Sequence, residues 1–315
     1  MSETGGSEMS ETKLSGIIKK FPALSHFILS MVISGGIVLI WYFGKSGFWM
    51  MYIAGFGASI AAFILTAIEG GKKSIKELLG RIIIVKANIR WYLFAVLIIF
   101  VTTIITRVLG LIIYSEPFNI LQPEVNVPEM GFVMSGGVIY LFAILLIIKG
   151  FFEAGIAEEF GYRGYVMPRL QAKRNALTSS IIVGLLWGLW HLILFWLPVT
   201  GFEVYYALGQ KYGIIPACLL NSIIQIAMSI QMTYLFNNTR GSVFFASLFH
   251  ATTAPAGLIF LFNGITNWNR GNFELLFVYM AVMVLISIIL VIVGGPKNLS
   301  RKYKRNILGE PITKL

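Results

Sequence analysis

Five residues in this sequence have the types and spacing that hydrolytic chemistry uses: Glu158, Glu159 and Arg163, then His191, then His250. They stand among few ionisable groups, because all 14 acidic residues are Glu and the histidines number only three. The run Ala157-Glu158-Glu159-Phe160-Gly161-Tyr162-Arg163 places two carboxylates side by side after a long apolar stretch. On a helix Glu159 and Arg163 are i and i+4 and can pair, whereas Glu158 projects about 100° away from Glu159. Glu158 is left without an obvious partner, as a water-activating base would be. The competing reading has both acids simply solvated at the cytoplasmic end of their helix.

The histidines shift that balance. His191 follows Trp187 by one turn, within Gly184-Leu185-Leu186-Trp187-Gly188-Leu189-Trp190-His191. Gly184 and Gly188 have the small-xxx-small spacing that lets helices approach closely. His250 lies in Ser247-Leu248-Phe249-His250. Ionisable groups are expensive inside a bilayer, so two histidines within apolar spans point to function. His26, at the start of the first span, is expected at the membrane interface. Lys149 and Glu153 are expected to form a buried pair that stabilises its helix. Glu158, His191 and His250 also resemble a zinc-protease ligand set with one open position, so a zinc site stands as an alternative to a metal-free base. No other cofactor is implied.

The elements that must position these residues are membrane helices. Of the 315 residues, 57% are hydrophobic and only 12% are charged, about half the charge of a soluble domain. The mean hydropathy is +0.79. Cys218 is the sole cysteine, which excludes a disulfide scaffold. Apolar runs of bilayer length recur at about Ala23–Phe43, Phe48–Ile68, Trp91–Tyr114, Val138–Ala157, Ser179–Leu197, Ile214–Phe236, Ser242–Phe262 and Phe273–Val293. The expected fold is an all-α, polytopic membrane bundle of about eight transmembrane helices. Residues 1–22 read as a polar, disordered cytoplasmic tail, 23–296 as the membrane domain and 297–315 as a basic cytoplasmic tail.

A net charge of +11 is the footprint of many nucleic-acid binders, but no nucleic-acid-binding motif accompanies it. The basic residues lie between the apolar runs instead. With a cytoplasmic N-terminus, twenty of the 25 Lys and Arg residues fall on the inner side. Only Lys45, Lys211 and Arg270 fall outside, while Arg107 and Lys149 lie within spans. That asymmetry places both termini in the cytoplasm of a cell-membrane protein. The segment Gly70–Arg90 alternates basic residues with Ile75, Leu78, Leu79, Ile82 and Ile83, which suits an amphipathic helix on anionic lipid of the inner leaflet.

Helix rise gives each group a depth. Counted from the cytoplasmic helix starts, His191 lies roughly 18 Å deep and His250 roughly 12 Å, with Glu158 at the inner edge. Bringing them together calls for a tilted fourth helix or a water-filled cavity open to the cytoplasm.

The residues Glu158-Glu159-x-x-x-Arg163, Trp187-x-x-x-His191, and His250 after Thr239-Arg240-Gly241-Ser242 resemble the CAAX protease and bacteriocin-processing family, also called Abi. That family includes the type II CAAX prenyl endopeptidases. The resemblance covers about Val138 to Gly257. It implies an intramembrane endopeptidase in which Glu158 activates water and His191 assists. His250 would bind the scissile carbonyl or oxyanion, and Glu159 with Arg163 would support the base. Family members commonly carry Asn four residues after the last His, and here that position is Ala254. Pro255 is expected to bend the helix beside it. Asn221, Gln225, Ser229 and Thr233 form a polar stripe at four-residue spacing. Asn221 and Gln225, with Thr253 beyond His250, are candidates for the missing polar support. The same stripe also suits hydrogen bonding between helices.

The partners implied are membrane lipid and a membrane-anchored or amphipathic peptide. Prenylated C-termini, signal-peptide remnants, pheromones and bacteriocin leaders all remain open as substrates. A non-proteolytic membrane binding or immunity protein on the same scaffold is the alternative, and Ala254 is its best support.

Overall fold

A computed structural model describes residues 14–45, 47, 49–115, 124–127, 132–135, 138–199, 202–253, 273–301, 304–305 and 311–312. A helical segment at 14–20 leads into α1 (Pro22–Gly44). Then follow α2 (Trp49–Gly55), α3 (Gly57–Gly80) and α4 (Ile89–Tyr114). The site helices are α5 (Val138–Gln171) and α6 (Ala176–Trp196). After them come α7 (Glu203–Tyr212), α8 (Ile214–Asn238), α9 (Val243–Ala251) and α10 (Glu274–Gly294). Two small antiparallel pairs complete the described elements: β1 (Glu124–Val127) with β2 (Phe132–Ser135), and β3 (Lys304–Arg305) with β4 (Pro311–Ile312).

Among the described residues, six helices are long and apolar enough to cross a membrane. A seventh is added if α2 and α3, bent by 44°, make one span. This is a multi-pass helical membrane protein. The sequence predicts eight spans, and the difference has two sources. The expected span Phe48–Ile68 is divided between α2 and α3. The expected span Ser242–Phe262 is described only to Thr253, so Ala254 and Pro255 lie outside the described residues. The amphipathic helix expected over Gly70–Arg90 is shorter than that. Gly71 breaks α3 with φ 60° and ψ −152°, and the chain leaves the helix after Gly80. Asn88 then caps α4 by accepting from the Arg90 N–H.

The fourth expected span differs most. It does not end at Ala157 but continues as a 34-residue helix to Gln171. Hydropathy falls at Glu158, Glu159 and Arg163, yet the helix persists because these side chains find partners inside the bundle. Two wide, π-helical stretches, Phe151–Ile156 and Phe160–Val166, flank the double-Glu turn. Such widened turns re-aim side chains and recur at functional sites. The extension changes the depths. Glu158 stands roughly 20 Å from the Gln171 end of α5, and His191 roughly 22 Å from the Ala176 start of α6. Glu158 therefore lies within the bundle, not at its inner edge.

Lipid surrounds the exterior, so the outward faces carry large aliphatics such as Val32, Ile112 and Ile292. With no hydrophobic drive between helices in lipid, close backbone packing organises the interior. A Cβ on Gly188 would lie 2.6 Å from Ser222 Cα, and one on Gly184 2.4 Å from Ile226 Cα. These glycines let α6 lie directly against α8. Gly155 does the same between α5 and α9, where a Cβ would meet the Ser247 carbonyl oxygen at 2.5 Å. Between these contacts Trp187, Tyr162, Phe245, Phe249 and Met232 form the core. At the opposite end of α8, Asn237 and Asn238 donate to the carbonyls of Asn298 and Leu299. This ties the turn after α10 to the bundle.

Candidate active site

Glu158 and Glu159 are neighbours on α5 with different surroundings. Glu158 Oε2 accepts from the Trp187 indole Nε1 at 2.6 Å. Glu159 pairs with Arg163 at 3.0 Å, the expected i, i+4 contact, and both side chains are fully buried. Glu159 Oε1 also faces His250 Nδ1 at 2.9 Å. The second carboxylate is thus engaged from two sides. Arg163 lies over the Trp187 ring, 4.9 Å from its centroid, while its Nε and Nη2 lack partners among the described residues.

His191 stands where the α6 ladder pauses, with φ −78° and ψ 0°. Its Nδ1 lies 2.8 Å from the Trp187 carbonyl oxygen. A carbonyl only accepts, so Nδ1 carries a proton, and in the neutral form of the ring Nε2 is the acceptor. The ring stacks on Tyr205 of α7 at 5.5 Å and 9°. Tyr205 also meets Phe195 and Phe202. Burial pushes its phenol up to about 12, with the Glu158 charge acting in the same direction.

Trp187 joins these groups. Its ring is 5.1 Å from the His250 ring, edge to face, and 6.3 Å from the His191 ring. Tyr162 packs 5.7 Å away, and its hydroxyl lacks a partner among the described residues. Glu158, His191 and His250 therefore surround one indole. Each keeps 7% exposure, while Glu159 and Arg163 have none.

The tentative polar residues separate. Asn221 lies beside Ser222, which packs on Gly188, and falls on the α8 face of the buried Met228 and Met232. Asn221 Nδ2, Gln225 Oε1 and Ser229 Oγ are buried without partners among the described residues. Thr233 donates back to the Ser229 carbonyl at 2.7 Å. Thr253 likewise donates to the His250 carbonyl at 2.8 Å, so its hydroxyl serves its own helix.

His26 is enclosed by protein and 1% exposed, facing the Ala58 carbonyl oxygen at 2.9 Å and packed between Tyr162 and Tyr165. The close approach of Gly161 to His26 makes room for it behind the double-Glu turn. Lys149 and Glu153 do pair, but their side chains are 52% and 32% exposed, with Lys149 beside Tyr52 at the bundle surface.

Among the described residues, no three His, Cys or acidic side chains are gathered so as to hold a metal ion. Nδ1 of His191 faces the Trp187 carbonyl and Nδ1 of His250 faces Glu159, which leaves Nε2 of each ring outside these bonds. As arranged, Glu158, His191 and His250 are not gathered into a ligand set.

The contacts of two residues at the site have no counterpart in the sequence. Trp187 is visible one turn before His191, but nothing in the sequence reports its bond to Glu158 across 29 residues. Tyr205 carries no sequence signal, since its contact depends on how α7 folds back over α6.

Residues 139–254 match the family described as type II CAAX prenyl endopeptidase Rce1-like. The matched segment contains every candidate site residue, from Glu158 to Thr253. A CAAX prenyl protease 2 of Methanococcus maripaludis is 26% identical over 125 residues, covering 38% of this chain and 42% of that relative. The Rce1-like match and the motif residues thus point to the same family.

Proposed function

We propose that this chain is an intramembrane endopeptidase that hydrolyses a peptide bond of a membrane-anchored substrate near the cytoplasmic leaflet. The prenylated peptides for which its relatives are named are the first class to test. One observation carries the reading. The three groups with chemistry to offer keep a trace of exposure around Trp187, while their supporting ion pair has none. Glu158 takes a proton from water, and the water oxygen attacks the scissile carbonyl. His191 Nε2 accepts a hydrogen bond from that water and helps carry the proton to the departing amine. In its protonated form, His250 donates from Nε2 to the developing oxyanion, while Nδ1 stays on Glu159. Water and substrate enter from the cytoplasmic side.

Glu158→Gln tests this reading. It is expected to abolish cleavage of a fluorogenic farnesylated peptide in detergent micelles while melting like the wild type. Full activity in that variant overturns it. Ala254 in place of Asn favours a second reading, a membrane binding or immunity protein. Peptide termini compared between a knockout complemented with wild type and one complemented with Glu158→Ala separate the two. New termini only with the wild type support the protease.

A further inference from the structure

The Trp187 side chain and backbone reach more of the site than any other residue described above. The indole N–H donates to Glu158 Oε2 at 2.6 Å. The backbone carbonyl of the same residue holds His191 Nδ1 at 2.8 Å. The ring faces the Arg163 guanidinium at 4.9 Å and meets the His250 ring at 5.1 Å. Trp187 is 1% exposed and fixed by the tight α6–α8 contact at Gly188.

From this we infer that Trp187 is the positioning residue of the site: its N–H fixes the rotamer of Glu158, so that the other carboxylate oxygen, Oε1, is the one presented to water. The inference rests on the hydrolytic reading above. A hydrogen-bond donor on the ring is what does this. A carboxylate held at one oxygen by a rigid donor has its second oxygen aimed, whereas a carboxylate facing only hydrocarbon samples several rotamers. The indole is suited because it is a donor without acceptor capacity. It cannot compete with Glu158 for the proton of the attacking water. Its large ring also anchors the donor against Arg163 and His250, so the bond does not depend on a mobile side chain. The same residue thereby couples the base to the tautomer of His191, through side chain and backbone respectively.

The test uses two variants of the full chain in micelles: Trp187→Phe and Trp187 replaced by 3-benzothienylalanine, which keeps the bicyclic shape but has no N–H. The expected result in both is a kcat reduced by roughly 100-fold, the cost of a misaligned reacting group, with KM within about twofold as in a loss confined to the transition state. The acid limb of the pH–rate profile moves as well. Benzothienylalanine that restores wild-type kcat and pH profile would show that ring packing alone matters, and would overturn the inference. Infrared spectroscopy supplies a readout that needs no substrate. The Glu158 carboxyl band, identified by its loss in Glu158→Gln, is expected to shift when the N–H is removed. An unshifted band overturns the inference even if the peptide is not cleaved. Activity that survives Glu158→Gln sinks the hydrolytic reading instead, and the two failures are thereby distinct.

Discussion

His250 Nδ1 stands 2.9 Å from Glu159 Oε1, joining residues 91 positions apart. Glu159 is therefore more than the partner of Arg163 one turn along its own helix. It ties α5 to α9 and fixes which nitrogen of His250 faces the core. Its neighbour Glu158 shares its charge and its helix but makes its bond to the indole of α6. Adjacent positions on a helix project about 100° apart, which lets the two carboxylates serve two different helices.

That division predicts opposite phenotypes for two neighbouring substitutions. Glu159→Ala leaves the Arg163 guanidinium buried without its counter-charge, which is expected to cost about 3–5 kcal/mol of stability. Glu158→Gln keeps an acceptor for the indole N–H and is expected to melt within about a degree or two of the wild type, as a change of under about 0.5 kcal/mol would. Thermal unfolding in one detergent compares them directly. Equal losses of stability would mean that the two acids share one structural role.

Asn221 gives a different signature. Its Nδ2 is buried without a partner among the described residues, and such a group is destabilising wherever water is excluded. Asn221→Leu is expected to leave stability unchanged or raised. If the amide binds the developing oxyanion, the same variant loses about 100-fold in kcat, as removal of one such donor does elsewhere. Ala254→Asn in the Asn221→Leu background is then expected to recover part of that loss. Unchanged kcat in Asn221→Leu would assign the polar stripe to helix packing.

Metal dependence is open to direct measurement. Because Glu158, His191 and His250 do not form a ligand set in this arrangement, cleavage is expected to survive exhaustive chelation, with elemental analysis verifying metal-free protein. Activity lost on chelation and restored by zinc would show that the side chains rearrange into the tetrahedral set.

How much of this was legible in the sequence depended on whether a contact is local. Glu159 with Arg163 follows from helical spacing, and the close approach at Gly184 and Gly188 follows from their own spacing. The extent of α5 was not legible, because hydropathy registers Glu158, Glu159 and Arg163 as a boundary, whereas their partners lie on α6 and α9. That single error placed Glu158 at the inner edge and created a depth mismatch with His191 that the fold does not have. The surroundings of His26 were not legible for a related reason, since nothing near it in sequence shows that Gly161 leaves a gap for the imidazole.

Tyr205 offers a test on the side of His191. Its ring stacks on the imidazole at 5.5 Å, so Tyr205→Phe preserves the contact and is expected to keep activity within about threefold. Tyr205→Ala removes it and is expected to lower kcat roughly tenfold, in line with the energy of an aromatic pair. The phenol supplies an independent check through pH. Its value is raised from 10.0 to about 12 by burial, so below about pH 10 it is neutral in both folded and unfolded chains and adds no pH dependence. Between about 10 and 12 only the unfolded chain ionises there, so this residue lowers stability as pH rises. Tyr205→Phe should therefore lose less thermal stability than the wild type between pH 8 and pH 11. Identical losses would show that the hydroxyl is freely solvated and that α7 does not close over His191.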